Sequence, residues 1–414
     1  MQITILAIGS RGDVQPYVAL GLGLQAAGHQ VQIASYARFA EFVHSYGLNF
    51  AAVGTNPQEY IQALAKNVDY WQIFCDSLEQ LLEDCWNCCQ GAEAIIYSQV
   101  ALPGYHIAEK LKIPCFAAFT NPLTRTRAFP HPLYTTSVNF GDTYNWLTYV
   151  VHEQLRWQSV RKKINRWRQD LNLPPAPFTG LYSQLQQQQI PIVHCFSPCV
   201  IPKPKDWADW AYVTGYWFLE QPQWQPPADL VDFISSGTPP IYIGFGSMSE
   251  RNPQTVTNLV LNALTQTKQR GILFSNWEGL QDVALPDNVF LITSSIPHDW
   301  LFPLCRAVVH HGGAGTTAAA LQAGVPSIVI PFGVDQPFWG QKVADLGVGT
   351  LPIPQQKLTK DQFIAAIEEV IHNENMIENA RTLGDRIRAE DGVGRAVKII
   401  QSYLYLYHQY NLHI

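Results

Sequence analysis

The sequence predicts an α/β protein of two doubly wound, Rossmann-like domains facing each other across a cleft. Three observations carry this. The chain has 414 residues, more than the roughly 250–300 at which a single hydrophobic core stops growing. Each half alternates short apolar runs with helix-periodic stretches, the rhythm of a parallel sheet covered on both sides. Between the halves lies a stretch rich in Pro and Trp and poor in apolar runs, Ile201-Pro-Lys-Pro-Lys through Gln221-Pro-Gln-Trp-Gln-Pro-Pro227, which suits an interdomain linker. The expected boundaries are a first domain over 1–200, a linker over 201–228, a second domain over 229–393 and a helical tail over 394–414, able to cross back to the first domain.

In the first half, Ile3 to Ile8 is a continuous apolar run, as a strand buried on both faces requires. Val14 to Ala27 has helical periodicity and stops at Gly28. Strands follow at 31–35, 94–97 and 115–119, with a helix over 103–111. Residues 123–189 break the rhythm and read as irregular. In the second half, strands are expected at 241–245, 271–275, 289–292, 307–310 and 327–330, and helices at 254–268, 315–323, 336–346 and 360–371. Ligands of such sheets sit beyond the carboxyl ends of the strands, so the loops there are where chemistry is sought.

Composition narrows the function. Hydrophobic residues are 47% and charged residues 14%, the balance of an ordered globular chain. A net charge of −6 argues against a nucleic-acid partner, which would need a dominant basic surface. The opening MQITILAIGS lacks the basic start of a secretory signal, and no run approaches the ~20 apolar residues of a membrane-spanning helix. A cytoplasmic protein with reduced thiols is the expectation. Cys85, Cys88 and Cys89 have no second ligand pair at zinc spacing, so they read as helix-packing thiols and no metal is expected.

The most informative segment is Ala307 to Pro326. An apolar strand runs into His310-His311-Gly312-Gly313-Ala314-Gly315-Thr316-Thr317, and a run of helix formers ends at Gly324. Glycines let the backbone approach an anion, and free N–H groups at the positive end of a helix stabilise a diphosphate. Thr316 and the His311 imidazole add donors. A plain glycine turn with a Thr cap would use the same residues. After the next strand comes Pro331-Phe-Gly-Val-Asp335-Gln336-Pro337, at the same sheet edge. A carboxylate beside an amide suits the vicinal hydroxyls of a sugar; an N-cap followed by a first-turn Pro is the other reading.

These two clusters resemble the donor-binding signature of the UDP-glycosyltransferase superfamily, of GT-B fold. Within it the chain resembles the branch of sterol glucosyltransferases and vancomycin-type antibiotic glycosyltransferases. The loop Gly9-Ser-Arg-Gly-Asp-Val-Gln-Pro16, Ala128-Phe-Pro-His-Pro132, Thr214-Gly-Tyr216 and Phe245-Gly-Ser-Met248 carry the same likeness. The resemblance implies a nucleotide sugar, such as UDP-glucose, as co-substrate, with no cofactor. It implies that His311, Thr316, Ser247 and the backbone of Gly313, Ala314 and Gly315 hold the phosphates. Asp335 and Gln336 would hold the sugar, and Pro297 and His298 the nucleobase. Plant relatives carry a ribose-binding glutamate where this chain has Ala319.

An inverting transfer needs a base for the acceptor hydroxyl. The resemblance points to Asp13; the loop alone reads equally well as a helix cap salt-bridged to Arg11. His131 is the reserve base, and a surface His between two prolines is its other reading. The acceptor is expected to be a lipophilic alcohol (sterol, hopanoid, carotenoid or polyketide-like), held by the irregular segments near Trp71 to Trp86 and Asn121 to Trp146. From Trp146 to Arg168, aromatics alternate with six cations, Arg156, Arg161, Lys162, Lys163, Arg166 and Arg168. This segment reads either as a helix for peripheral contact with an anionic membrane or as solvated charge over buried Trp. A sugar-nucleotide 2-epimerase and a non-catalytic lipid-binding protein remain as alternatives to a transferase.

Overall fold

The structure is a computed structural model; it describes residues 1–54, 70–134, 140–221, 224–245, 253–274 and 285–410. The chain divides into two compact units, one of residues 1–219 with 391–414, the other of residues 220–390.

The first unit holds β1 (Gln2–Leu6), β2 (Gln30–Ser35), β3 (Asn49–Ala52), β4 (Ala94–Tyr97), β5 (Cys115–Phe119), β6 (Ile192–His194) and β7 (Ala211–Val213). They form one parallel sheet in the order β3-β2-β1-β4-β5-β6-β7. Its helices are α1 (Arg11–Ala26), α2 (Ala40–His44), α3 (Tyr70–Cys88), α4 (Pro103–Leu111), α5 (Asp142–Asp170) and α6 (Leu181–Gln187). The strand order reverses between β1 and β4. Right-handed crossovers then place helices on opposite faces, which is why Ile3, Ile5, Leu6, Ile33, Ile95 and Ile96 are all buried whichever way they point.

The second unit holds α7 (Ala228–Ser235), β8 (Ile241–Gly244), α8 (Pro253–Gln266), β9 (Gly271–Phe274), β10 (Val289–Ile292), α9 (His298–Leu301), β11 (Ala307–His310), α10 (Ala314–Ala323), β12 (Ser327–Val329), α11 (Gln336–Asp345), α12 (Lys360–His372) and α13 (Glu374–Arg388). The parallel sheet runs β10-β9-β8-β11-β12. Strand alternation sorts its core into two layers. Ile241, Ile243 and Val309 pack with Phe363 and Ile367 on one face, while Tyr242 and Val308 pack with Leu301 and Ala320 on the other. The helix α14 (Gly392–Tyr410) returns to the first unit, where Val393 lies so close to α1 that a Cβ on Gly23 would meet it at 2.5 Å.

Two expectations are corrected. Residues 201–219, placed in a linker, belong to the first unit: Ala211–Val213 pairs with β6, Ile192 opposite Ala211. The segment 123–189, expected to be irregular, contains, besides the shorter α6, the 29-residue α5. Its polar and apolar residues are so mixed that no clean stripe announces it, and the buried Tyr149, Trp157, Val160 and Ile164 are spread among charges. Arg168 anchors its far end, 1% exposed, through bonds to Glu109 at 2.6 Å and to the Pro174 carbonyl at 2.8 Å.

The helix that follows the glycine loop is held by another glycine. Gly324 ends α10 at φ +74°, a left-handed turn that a side chain would strain. Helix α13 crosses there, and a Cβ on Gly384 would stand 2.6 Å from the Gly324 Cα. Backbone cannot yield as a side chain can. Gly384→Ala is therefore expected to destabilise the second unit by about 1–3 kcal/mol. Urea unfolding checks this, and an unchanged midpoint would show that α10 and α13 are free to separate.

Candidate functional site

The glycine loop lies where β11 ends beside β8, the point at which the second sheet reverses its strand order. His310, the last residue of β11, is fully buried, and its Nδ1 accepts the Gly312 N–H at 3.1 Å. That bond assigns the ring proton to Nε2. Burial, with His311 and His298 nearby, holds the His310 pKa down to about 3. The chain then turns at Gly312, φ +89°. A side chain there would meet Val329 at 2.8 Å and the Gln336 carbonyl at 2.9 Å. Gly313 caps α10 in an extended conformation with no side-chain bond to the helix. The first intrahelical bond is Thr317 N–H to the Gly313 carbonyl at 2.9 Å. The amides of Ala314, Gly315 and Thr316 thus have no carbonyl to donate to within the helix.

The His311 ring lies over this opening: a Cβ on Gly313 would be 2.5 Å from its Nε2. Burial lowers the His311 pKa to about 4, so the ring is neutral near pH 7 and presents one donor. Three buried polar atoms around the loop lack a hydrogen-bond partner: His310 Nε2, His311 Nδ1 and Thr317 Oγ1. Buried polar atoms normally find a partner, so such a group calls for a ligand or another explanation. Around Gly315 there is open space where a side chain would go.

His298, the first residue of α9, stacks on Phe302 with ring centroids 4.3 Å apart, and burial with His311 lowers its pKa to about 4. The structure so brings together three neutral histidines, of which His310 fixes the turn. Pro297 caps α9 and is buried, its carbonyl accepting from Leu301 N–H at 3.1 Å. Ser247 lies outside the described residues.

The second cluster sits at the neighbouring strand end, with Ile330 N–H donating to the His310 carbonyl at 2.9 Å. Gln336 is buried; its Oε1 accepts the N–H groups of Phe332 at 2.7 Å and Gly333 at 3.3 Å. Its carbonyl end therefore closes the loop, and only the NH₂ end is left to contact a sugar. Asp335 Oδ2 accepts the Trp339 indole N–H at 3.1 Å, one turn into α11. Trp339, fully buried, was not singled out from the sequence; its i+4 spacing from Asp335 is the signal. Val334, a β-branched residue at φ +57°, holds the loop in a strained shape that puts Asp335 beside Gln336.

In the first unit, Asp13 lies in the first turn of α1, after β1, again where a sheet reverses its strand order. Its Oδ2 accepts two bonds from Ser10, from the N–H and the hydroxyl, each 2.8 Å. The cap reading is thus realised, and Oδ1 remains for other work. Gly9, φ +143°, permits this: a Cβ there would be 2.5 Å from Asp13 Oδ2. Burial raises the Asp13 pKa above 3.8, opposed by the Ser10 bonds. The expected salt bridge with Arg11 is corrected. Arg11 stacks over Phe42 at 3.8 Å and bonds Gln15, because residues two apart on a helix, as Arg11 and Asp13 are, do not face each other.

His131 is also corrected: it is 3% exposed rather than a surface residue. Its ring stacks on His152 at 4.1 Å, its Nδ1 accepts the Leu133 N–H at 3.2 Å, and burial drives its pKa to about 2. Near it, sequence reasoning missed Glu153. This carboxylate is buried and bound by Arg125, yet desolvation raises its pKa to about 7, and its Oε1 has no partner.

Comparison with known proteins gives matches in both halves of the chain. Residues 3–130 match the glycosyltransferase family 28 N-terminal domain, and residues 259–400 the C-terminal domain of erythromycin biosynthesis protein CIII-like proteins. The chain is 42% identical to a sterol 3-beta-glucosyltransferase of Sclerotinia sclerotiorum, 41% to one of Aspergillus terreus and 39% to one of Cryptococcus neoformans. In each case 97% of the chain is covered, but it spans only 29%, 30% and 27% of the relative's length. Among solved structures, the glycotransferase of kitacinnamycin superposes with a TM-score of 0.75 at 20% identity, covering 97% of this chain and 98% of that one. The calicheamicin glycosyltransferase CalG4 gives 0.71 at 16%, with coverages of 97% and 98%. The spinosyn rhamnosyltransferase SpnG, complexed with thymidine diphosphate, gives 0.64 at 18%, with coverages of 97% and 100%. The two domain matches, in order, and the shared fold agree: the chain carries a glycosyltransferase family 28 N-terminal domain and an EryCIII-like C-terminal domain on a GT-B fold, and it resembles sterol glucosyltransferases over nearly its whole length.

Proposed function

We propose that the chain transfers glucose, with inversion, from UDP-glucose to the hydroxyl of a sterol or a sterol-like lipophilic alcohol. The observation that carries the donor half is the uncapped N-terminus of α10 with the His311 ring laid over it. Backbone amides, helix dipole and an imidazole donor converge there, the combination that stabilises a diphosphate and the charge it gains on leaving. The acceptor half rests on the sterol 3-beta-glucosyltransferases that share about 40% identity over 97% of the chain. Neither a 2-epimerase nor a non-catalytic lipid binder accounts for that likeness.

In this reading Gly313, Ala314, Gly315 and Thr316 bind the phosphates, Ser247 assists, and the backbone at Pro297 and His298 meets the base. Asp335, steadied by Trp339, and the NH₂ end of Gln336 bind the glucose hydroxyls. Asp13 Oδ1 takes the acceptor's proton while Oδ2 stays bonded to Ser10. The attacking oxygen forms its bond to the anomeric carbon as the bond to the diphosphate breaks, and the proton goes to Asp13. No cofactor is required. Ala319 offers the ribose no carboxylate, so nucleotide preference rests on other contacts. His131, neutral and buried, is a poor base, and we assign it to packing.

Radiolabelled UDP-glucose incubated with a panel of hydrophobic alcohols is expected to label sterols. Labelling of none, with UDP-glucose consumed to a new nucleotide sugar, would favour epimerisation instead.

His311→Ala is expected to weaken UDP binding by about 10- to 100-fold, the worth of a hydrogen bond to a charged group. Calorimetry on the folded variant measures this, and unchanged affinity would remove His311 from the phosphate site.

Asp13→Asn keeps an oxygen for Ser10 but cannot take a proton. Turnover should fall by about 10²–10⁴-fold, with the melting temperature nearly unchanged. Because burial raises the Asp13 pKa, the parent's rate should decline on acidification with an apparent pKa above 3.8. The carboxylate is active above that pKa and is lost below it. A variant within a few-fold of the parent at neutral pH would leave Asp13 as a cap only.

A further inference from the structure

Helix α5 presents an unusual outward face. Leu147, Val151 and Leu155 follow one another at i, i+4 and i+8 and are 44%, 49% and 63% exposed. Val150, Val151, Gln154, Leu155 and Gln158 line a shallow depression along it. Phe178 extends the surface, 63% exposed, on a loop tied to the helix by Gln158 and Gln154. These are aliphatic and aromatic groups spread over one contiguous strip, not scattered single residues.

The charges on the same helix are equally one-sided. Between its exposed end residues Asp142 and Asp170 the helix carries six cations and one carboxylate, in a chain of net charge −6. That carboxylate, Glu153, is buried against Arg125. Arg168 is committed to Glu109, Lys163 to Glu79 and the Cys75 carbonyl, and Arg161 lies over the Phe178 ring. Lys162 and Arg166 are exposed. At about 100° per residue, Leu147, Val151 and Leu155 span an arc of about 80°; Lys162 falls inside it and Arg166 about 20° beyond its edge. The outward face is therefore apolar over its first half and cationic over its second, with no exposed acid between residues 143 and 169. The tryptophans take no part: Trp157 is buried, Trp167 packs edge-on against His106 and Trp146 lies under the Arg127 guanidinium.

We propose that this face of α5 docks on an anionic lipid bilayer. Leu147, Val151, Leu155 and Phe178 enter the headgroup boundary, and Lys162 and Arg166 pair with lipid phosphates and carboxylates. A bilayer offers apolar depth and negative charge side by side in one plane, which this strip matches over a length of about 28 Å. The idea extends the functional reading and rests on it in one respect: a sterol-like acceptor resides in such a membrane. Among the described residues no helix is long and apolar enough to cross a membrane, so the contact is peripheral.

Flotation of the full chain with vesicles tests this. Recovery is expected with phosphatidylserine-containing vesicles at low salt, and little with phosphatidylcholine alone or at high salt. A cation near such a surface is worth roughly fivefold in partitioning, so Lys162→Gln with Arg166→Gln should lower the partition constant about 25-fold. Val151→Gln with Leu155→Gln should abolish recovery. All four side chains lie on the outer face, and thermal melts verify folding; if the apolar pair fails to fold, the cationic pair decides. Equal recovery on neutral and anionic vesicles, or recovery unchanged by the substitutions, overturns the proposal. So does a dimer that the apolar substitutions dissociate while vesicles recover nothing, which would assign the face to a second copy. Transfer to a sterol in detergent micelles should be the same in the parent and in these variants. Failure of the parent there would count against the functional reading and leave the flotation result standing.

Discussion

A strand that must end in a helix within three residues sets the character of the second unit. Gly312 supplies the left-handed turn, Gly313 starts the helix without a side chain, and His310 pins the turn by accepting the Gly312 amide. Because Gly313 carries no Cβ, the His311 ring can lie against the helix opening; any side chain would push it away. The price of this arrangement is a set of amides and three buried polar atoms without protein partners. The neighbouring loop, Gly384 and β11 hold that one opening in place.

The neutrality of the histidines follows from the same constraint. An imidazolium at the positive end of a helix, out of water and beside other histidines, is disfavoured on every count. His298, His310 and His311 are all held well below their usual range. They are neutral hydrogen-bonding groups, and the positive character of the opening comes from the amides and the helix dipole. In the first unit the logic is reversed. There a carboxylate is placed at a helix N-terminus, where one of its oxygens is fully used by Ser10. Capping uses only one oxygen of Asp13. The cap fixes the carboxyl group in place, and burial raises its basicity while one oxygen stays open.

Much of this was legible in the residues. The strands of the second unit, the glycine loop, the stop at Gly324 and the pairing of Asp335 with Gln336 all appear as local patterns. Where local pattern is thin, the reading failed. β3, β6 and β7 are three or four residues long, too short to show a period, and Ala211–Val213 sits among prolines and tryptophans that suggest a linker. α5 is 29 residues long, but its buried side is interrupted by Glu153 and Arg168, whose partners Arg125 and Glu109 lie far off in sequence. His131 looked exposed between two prolines because nothing nearby in sequence shows that Tyr149 and His152 enclose it.

The sequence by itself determined which residues could turn, cap and bind: glycine where φ must be positive, small residues where a helix must start bare, polar residues at strand ends. These are properties of a residue and its neighbours along the chain. Only the tertiary structure decided which of those groups are already spent. It gave Gln336 Oε1 to the loop backbone, Asp335 to Trp339, one oxygen of Asp13 to Ser10, and Arg11 to Phe42. It also decided that Trp157 turns inward while Leu147, Val151 and Leu155 turn out. Burial and hydrogen-bond commitment depend on partners far away in sequence, so no local pattern can report them.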